Sequence, residues 1–379
     1  MDEPDALPRL LRQLEAQTFR NFTVYICVNQ PDDWWHDDND AHLQVCLHNA
    51  DTLRLLAYSE NIILLDHCSE GRGWPLRKSG VGYARQALFK AIQAHATLDE
   101  LVVSLDADTL IPPCYLQQVL DSMNAHPEAH ALAVPYYHPV PDEETCARSL
   151  LRYECYMRHY FLSLLLIGSP YAFSALGSAM VFPLWSYNRV GGITPLPAGE
   201  DFYLMQKFAK TGSLLLSTPA LVFPQGRPSP RVPFGTGPAV LTTIAQQQQR
   251  YPFYPAEAFQ AVEETIQKFP QLFLEDIPTP MTPFLQQQLR TSDIWGPLRR
   301  NFKHQEQFIH ACHERVDGLR ILQFMKGFPT SDCNLLKFLQ QQGKTVPSHL
   351  DFATSPLPEL VSVRDTLFRL DQALRRQLG

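Results

Sequence analysis

The chain has 379 residues, 45% hydrophobic and 19% charged, which is enough apolar material for a packed core and excludes a disordered polymer. Its formal net charge of −7 argues against nucleic acid as a partner and leaves room only for a local basic pocket around a phosphorylated ligand. Eight cysteines with no C-x-x-C pair imply neither a zinc site nor a disulfide framework, and a reducing cytosol fits them best. The start Met1-Asp2-Glu3-Pro4-Asp5 is acidic where a secretory signal needs positive charge.

Leu7, Leu10, Leu11 and Leu14 recur at helical spacing and predict a helix over residues 5–19. A strand is expected at 22–29, a helix at 41–59, a strand at 61–66 and a helix at 81–96. The apolar run Leu101-Val102-Val103-Ser104-Leu105 reads as a buried strand, followed by a helix near 112–125, a strand near 131–136 and a long helix from about Glu144. Residues 161–182 carry no charge, long enough to span a bilayer. Gly168-Ser169-Pro170 interrupts them, so a core helix, a break and a buried strand at 175–182 are expected, with peripheral membrane contact left open. The alternation implies a largely parallel sheet flanked by helices. From about Pro228 the text turns Pro/Gly-rich and then helix-like with glutamine runs. Residues 1–240 are therefore read as an α/β domain and 241–379 as a mainly helical extension.

The predicted strand at 101–105 delivers Asp106-Ala107-Asp108 at its C-terminal end, where α/β sheets place ligand chemistry. In extended chain, carboxylates two residues apart share a side, so Asp106 and Asp108 can meet one hard cation, Mg²⁺ or Mn²⁺, that bridges to a diphosphate. Gly80 and Gly82 permit close backbone approach to a ligand, and Arg85 stands one turn into the helix they open. Glu200-Asp201 opens a predicted helix ending at Gly212. Acids there are favoured by the helix dipole alone, or one of them can serve as a general base. The acidic loop with Asp32, Asp33, Asp37, Asp38 and Asp40 reads as solvated. Gln247-Gln248-Gln249-Arg250-Tyr251 approximates a Q-x-x-R-W pattern, a cheap match inside a glutamine run.

Four segments, in this order, resemble the family 2 glycosyltransferases of GT-A fold: Gln17-Thr18-Phe19-Arg20-Asn21-Phe22, Gly80-Val81-Gly82-Tyr83-Ala84-Arg85, Asp106-Ala107-Asp108, and Gly191-Gly192 followed by Glu200-Asp201. The resemblance covers residues 5 to about 235. It implies a Rossmann-like, mostly parallel sheet, a nucleotide-sugar donor (UDP expected), an acceptor hydroxyl on a carbohydrate, lipid-linked or other molecule, and inversion at the anomeric carbon. Asp201 becomes the base with Glu200 orienting it, and Asp106 and Asp108 the metal ligands. Asn29, Asp66, Gly82, Arg85, Asp106, Arg227 and Arg231 are placed on the donor, the last two in a closing segment. Two departures stand out. The first strand of the family is missing before the first helix, which predicts an upstream Val/Ile-rich segment, and Asn29 replaces the aspartate that faces the base. Two other readings compete: a catalytically silent scaffold, and a sugar-phosphate nucleotidyltransferase, whose glycine-rich N-terminal signature is absent.

Overall fold

The structure, a computed structural model, describes residues 3, 5–57, 61–226, 236–242 and 244–378. The chain divides into two compact units, one of Met1–Leu150, Ala175–Leu241 and Gln372–Gly379, the other of Leu151–Ser174 and Thr242–Asp371.

In the first unit, α1 (Ala6–Glu15) buries Leu7, Leu10 and Leu14, the stripe its spacing predicts. β1 (Val24–Asn29), α2 (Asp40–Leu56), β2 (Ile62–His67) and α3 (Val81–His95) follow. β1 and β2 run parallel, with Val28 opposite Asp66 and Asn29 opposite His67. Leu7 and Leu11, Ile26 and Val28, Leu53 and Leu56, and Ile62 and Leu64 form one core on one face of this pair, and Ala107 packs against it.

A second sheet has the order β3 (Leu101–Ser104), β5 (Met180–Pro183), β4 (Ala131–Ala133), β6 (Leu214–Leu215), with α4 (Tyr115–Ala125) between β3 and β4 in the chain. The sheet is mixed: β5 is antiparallel to both β3 and β4, whereas β4 and β6 are parallel. Hydrophobic periodicity encodes burial and not direction, which is why the antiparallel strand was invisible in sequence. Among the described residues no ladder joins β1–β2 to the second sheet. Phe182 on β5 centres an aromatic core, with ring centroids 5.3 Å from Phe89, 5.4 Å from Tyr187 and 5.2 Å from Phe208. Phe208 lies on α7 (Glu200–Thr211), and α6 (Leu184–Arg189) follows β5 directly.

α5 (Glu144–Leu166) begins in the first unit and continues into the second, and Gly168, at φ +69°, stands just beyond its end. No helix among the described residues is long and apolar enough to cross a membrane. The second unit is helical, and its α5 segment is fastened to the final helix (Leu357–Gln377) by buried charges. Arg158 donates to Glu154 Oε1 at 2.7 and 2.9 Å and to Asp371 Oδ2 at 2.6 Å, while Arg364 reaches Glu154 Oε2 at 3.2 Å. All four side chains are 0–1% exposed. The glutamine run lies in a helix (Ile244–Arg250). The ring of Tyr251, just beyond it, packs on Tyr153 and Tyr156 at 4.8 and 5.5 Å.

Candidate active site

Three segments far apart in sequence meet at one guanidinium. Arg85 projects from the second turn of α3 and pairs with Glu200 through Nη1 and with Asp106 through Nη2. Arg85 and Glu200 are only 8% and 2% exposed, whereas Asp106 is 43% exposed and presents its carboxylate to solvent. Burial alone would lower the Arg85 pKa, but the Asp106, Glu200 and Asp201 carboxylates outweigh it and hold the group more basic than usual. Arg85 is thus a fixed cation.

The approach is made possible by a residue that carries no motif. A Cβ at Gly177 would fall 1.8 Å from Arg85 Nη2, so only glycine leaves space for the guanidinium beside the chain entering β5. Gly177→Ala should therefore displace Arg85 and destabilise the protein by about 1–3 kcal/mol, the usual cost of overpacking. Urea denaturation checks the second effect, and an unchanged midpoint would show that the contact yields freely.

Gly82 has a similar role. A Cβ there would lie 2.2 Å from the Leu196 carbonyl, so in this structure its bare backbone serves contact with the loop leading to Glu200. That loop ends at Gly199, whose φ of +79° is the left-handed conformation that favours glycine. α7 then starts with Glu200 and Asp201 in its first turn. Asp201 Oδ1 accepts the Phe202 N–H at 2.7 Å. Burial first, and the neighbouring Glu200 charge second, push the Asp201 pKa up to about 7, against the opposing pull of Arg85. A carboxyl set near neutrality can take a proton from a hydroxyl and hold it.

The end of β3 differs from the extended geometry expected of it. The strand stops at Ser104, Ala107 and Asp108 lie in a turn, and the Asp106 carbonyl accepts the Thr109 N–H at 3.0 Å. Ala107 turns into the core, with the two acids on either side of it in sequence. The donor set is hard carboxylate oxygen, which suits Mg²⁺ or Mn²⁺. Among the described residues no group of three or more His, Cys, Asp or Glu stands where it could hold a metal ion.

Asn29 and Asp66 sit at the ends of β1 and β2. Asp66 Oδ1 accepts the N–H groups of Cys68 and Ser69 at 3.1 and 3.0 Å, and Oδ2 faces Arg72 at 3.3 Å. Burial would raise its pKa, but the hydrogen bonds from Ser69 and Cys68 together lower it. Asp66 thereby organises the loop after β2. Asn29 is 6% exposed, and its Oδ1 has no hydrogen-bond partner. Arg227 and Arg231 lie outside the described residues. The acidic loop is not uniformly solvated, since Asp32 Oδ1 accepts the Gly71 and Gly73 N–H groups at 2.9 and 3.0 Å. The Gly191–Gly192 turn borders an open polar cavity of ≈ 310 Å³ that includes Gln86, Lys90 and Asn188.

The model of glycosyl transferase family group 2 matches residues 101–301, more than half of the chain and inclusive of Asp106, Glu200 and Asp201. The chain belongs to this family. It is accordingly a glycosyltransferase, with the mixed α/β architecture and helical C-terminal region described above. No curated protein matches the chain. Among solved structures it is similar to the crystal structure of S. aureus TarS 1-349, at 13% identity, covering 100% of this chain and 89% of that one with a TM-score of 0.37. The family assignment of this glycosyltransferase rests on the match over residues 101–301. For a glycosyltransferase the nucleotide-sugar donor and an acceptor follow.

Proposed function

We propose that this glycosyltransferase is a metal-dependent, inverting enzyme that moves a sugar from a UDP donor to an acceptor hydroxyl. The observation that carries the reading is the convergence of Arg85, Asp106 and the Glu200-Asp201 pair. It sets one fixed cation and one neutral-range carboxyl beside the exposed acid of the β3 end. Mg²⁺ or Mn²⁺, held by Asp106 and Asp108, would supply Lewis-acid stabilisation of the charge that grows on the departing diphosphate.

The residues of the chain divide the remaining work. Asp201 takes the proton of the acceptor hydroxyl as it attacks the anomeric carbon on the side away from the diphosphate, which gives inversion. Glu200, anchored on Arg85, holds the Asp201 backbone in place and, by its charge, keeps the base weakly acidic. Arg85 stops the cluster of carboxylates from repelling itself apart. Asn29 and Asp66 belong to the nucleotide end, one by its unpaired amide oxygen and the other by the loop it orders. The cysteine composition supports a reducing, cytoplasmic setting.

Donor binding tests the metal assignment. UDP should bind at least tenfold more tightly with Mn²⁺ than in EDTA, and Asp108→Asn should abolish that difference while the circular-dichroism spectrum stays unchanged. Equal UDP affinity in Mn²⁺ and EDTA by calorimetry would remove the metal from the proposal.

A further inference from the structure

An outer face of α3 carries Gln86, Lys90 and Gln93, spaced four and three residues apart and therefore one above another. Opposite them stand Asn188 of α6 and the Gly191–Gly192 turn that follows it, and these two walls enclose the polar cavity of ≈ 310 Å³. The walls are joined by a hydrogen bond from Gln93 Nε2 to Asn188 Oδ1 at 2.5 Å. Lys90, Gln93, Asn188 and Gly191 are exposed and Gln86 is half-buried, so the polar groups of the lining are reachable from solvent.

The glycine turn is firmly held. Gly191 and Gly192 stand at φ +71° and +72°, the left-handed region that favours glycine. The Gly192 carbonyl accepts Lys207 Nζ at 2.7 Å, and the Tyr187 hydroxyl accepts the Ile193 N–H at 3.1 Å. A Cβ at Gly192 would come 3.0 Å from the end of the Tyr187 side chain, whereas one at Gly191 would meet nothing within 4 Å. Bare backbone is thus part of the lining, with open space in front of Gly191.

The chemistry of the lining narrows what can bind. The side-chain amides of Gln86, Gln93 and Asn188 offer donors and acceptors together, which suits adjacent hydroxyl groups. Lys90 brings an ammonium, and no Asp or Glu among the described residues lines the cavity. Neither Lys90 nor Gln86 has a hydrogen-bond or ion-pair partner among the described residues. The one ring of the lining, Tyr187, is 3% exposed and packed on Phe89 and Phe182 at 5.2 and 5.4 Å, so it offers no face on which a base could stack. The volume lies at the lower end of ligand cavities and fits one sugar-sized unit. We propose that this cavity is a second ligand site for a monosaccharide unit that carries a negative charge, with its hydroxyls on the amides and its carboxylate or phosphate on Lys90. None of its residues belongs to the Arg85–Asp106–Glu200 cluster, so the proposal does not depend on the donor reading.

Heteronuclear NMR on the full chain tests it by following the Gly191 and Gly192 amide resonances as glucuronate, glucose 6-phosphate or glucose is added. Both anionic sugars should shift them to saturation and bind roughly three- to fivefold more tightly than glucose, the worth of one exposed ion pair. The tighter of the two identifies the preferred anion. Lys90→Met should remove the preference for charge and Lys90→Arg should keep it, and because Lys90 is exposed neither change disturbs the core. Saturating UDP with Mn²⁺ should leave the glucuronate affinity within about twofold. Displacement of glucuronate by UDP would put the sugar in the donor site and overturn the proposal. So would unmoved Gly191 and Gly192 resonances with all three probes, or a preference for charge that survives Lys90→Met. A chain that binds glucuronate here and no UDP would defeat the nucleotide-sugar reading and leave this site standing.

Discussion

Asp201→Asn should lower sugar transfer by about two to four orders of magnitude, the usual contribution of a positioned base, while UDP affinity stays within about twofold. The amide is nearly isosteric, preserves a hydrogen-bonding oxygen for the Phe202 N–H, and leaves the start of α7 in place. Stability should move in the opposite direction from activity. The Asp201 carboxyl is pushed up to about 7 in the fold against about 3.9 in an unfolded chain. Between those values the folded state holds a proton that the unfolded state has released, so stability falls as pH rises through this window. Asn removes that penalty. The melting temperature of Asp201→Asn should exceed that of the wild type at pH 8 and gain less at pH 5. In the wild type, transfer should rise with pH through about 7 as the base ionises. A variant with wild-type turnover would move the base to Glu200. A variant that is inactive but no more stable at pH 8 than the wild type would contradict the raised pKa.

The largest expected loss of stability lies in the second unit. Glu154→Gln leaves Arg158 and Arg364 buried with one carboxylate fewer between them, and should cost about 3–5 kcal/mol, the typical penalty for breaking a buried ion pair from one side. The coupled geometry explains the size: Arg158 spans Glu154 and Asp371 while stacking 4.9 Å from the Phe368 ring, so a single neutralisation unsettles the packing of α5 on the final helix. Glu264→Gln is the matched control. Its partner Lys268 sits at a similar 2.6 Å and four residues away, but both side chains are substantially exposed, and the change should stay within about 0.5 kcal/mol. Urea denaturation of the three proteins decides it, and a loss below about 1 kcal/mol for Glu154→Gln would mean that water or a rearranged partner compensates the charge.

Much of this molecule can be read from local text. The Leu7, Leu10, Leu14 stripe, the apolar strand at Leu101 and the acids that open α7 all declare themselves within a few residues, because period and terminus chemistry are local properties. The meeting of Arg85 with Asp106 and Glu200 spans 21 and 115 positions, and no periodicity reports on it. Gly177 was missed for the same reason, since its value lies in what sits above it. Arg152, Glu154 and Arg158 are charges on a long helix that local sequence would leave in solvent, and all three are buried. The partners that make this tolerable, Asp332 and Asp371, come 180 and 213 residues later.

The single guanidinium at the centre of the site has a consequence for proton traffic. One cation stands against three carboxylates, and the least acidic of them is poised where its occupancy is close to even at neutral pH. Any anion that settles nearby raises the hold of Asp201 on its proton, and any cation loosens it. On the proposed function, a diphosphate binding there would draw a fraction of a proton from the surrounding buffer, and a divalent ion would release a fraction. The two ligands, brought together, leave the base closer to its resting ionisation than either would alone.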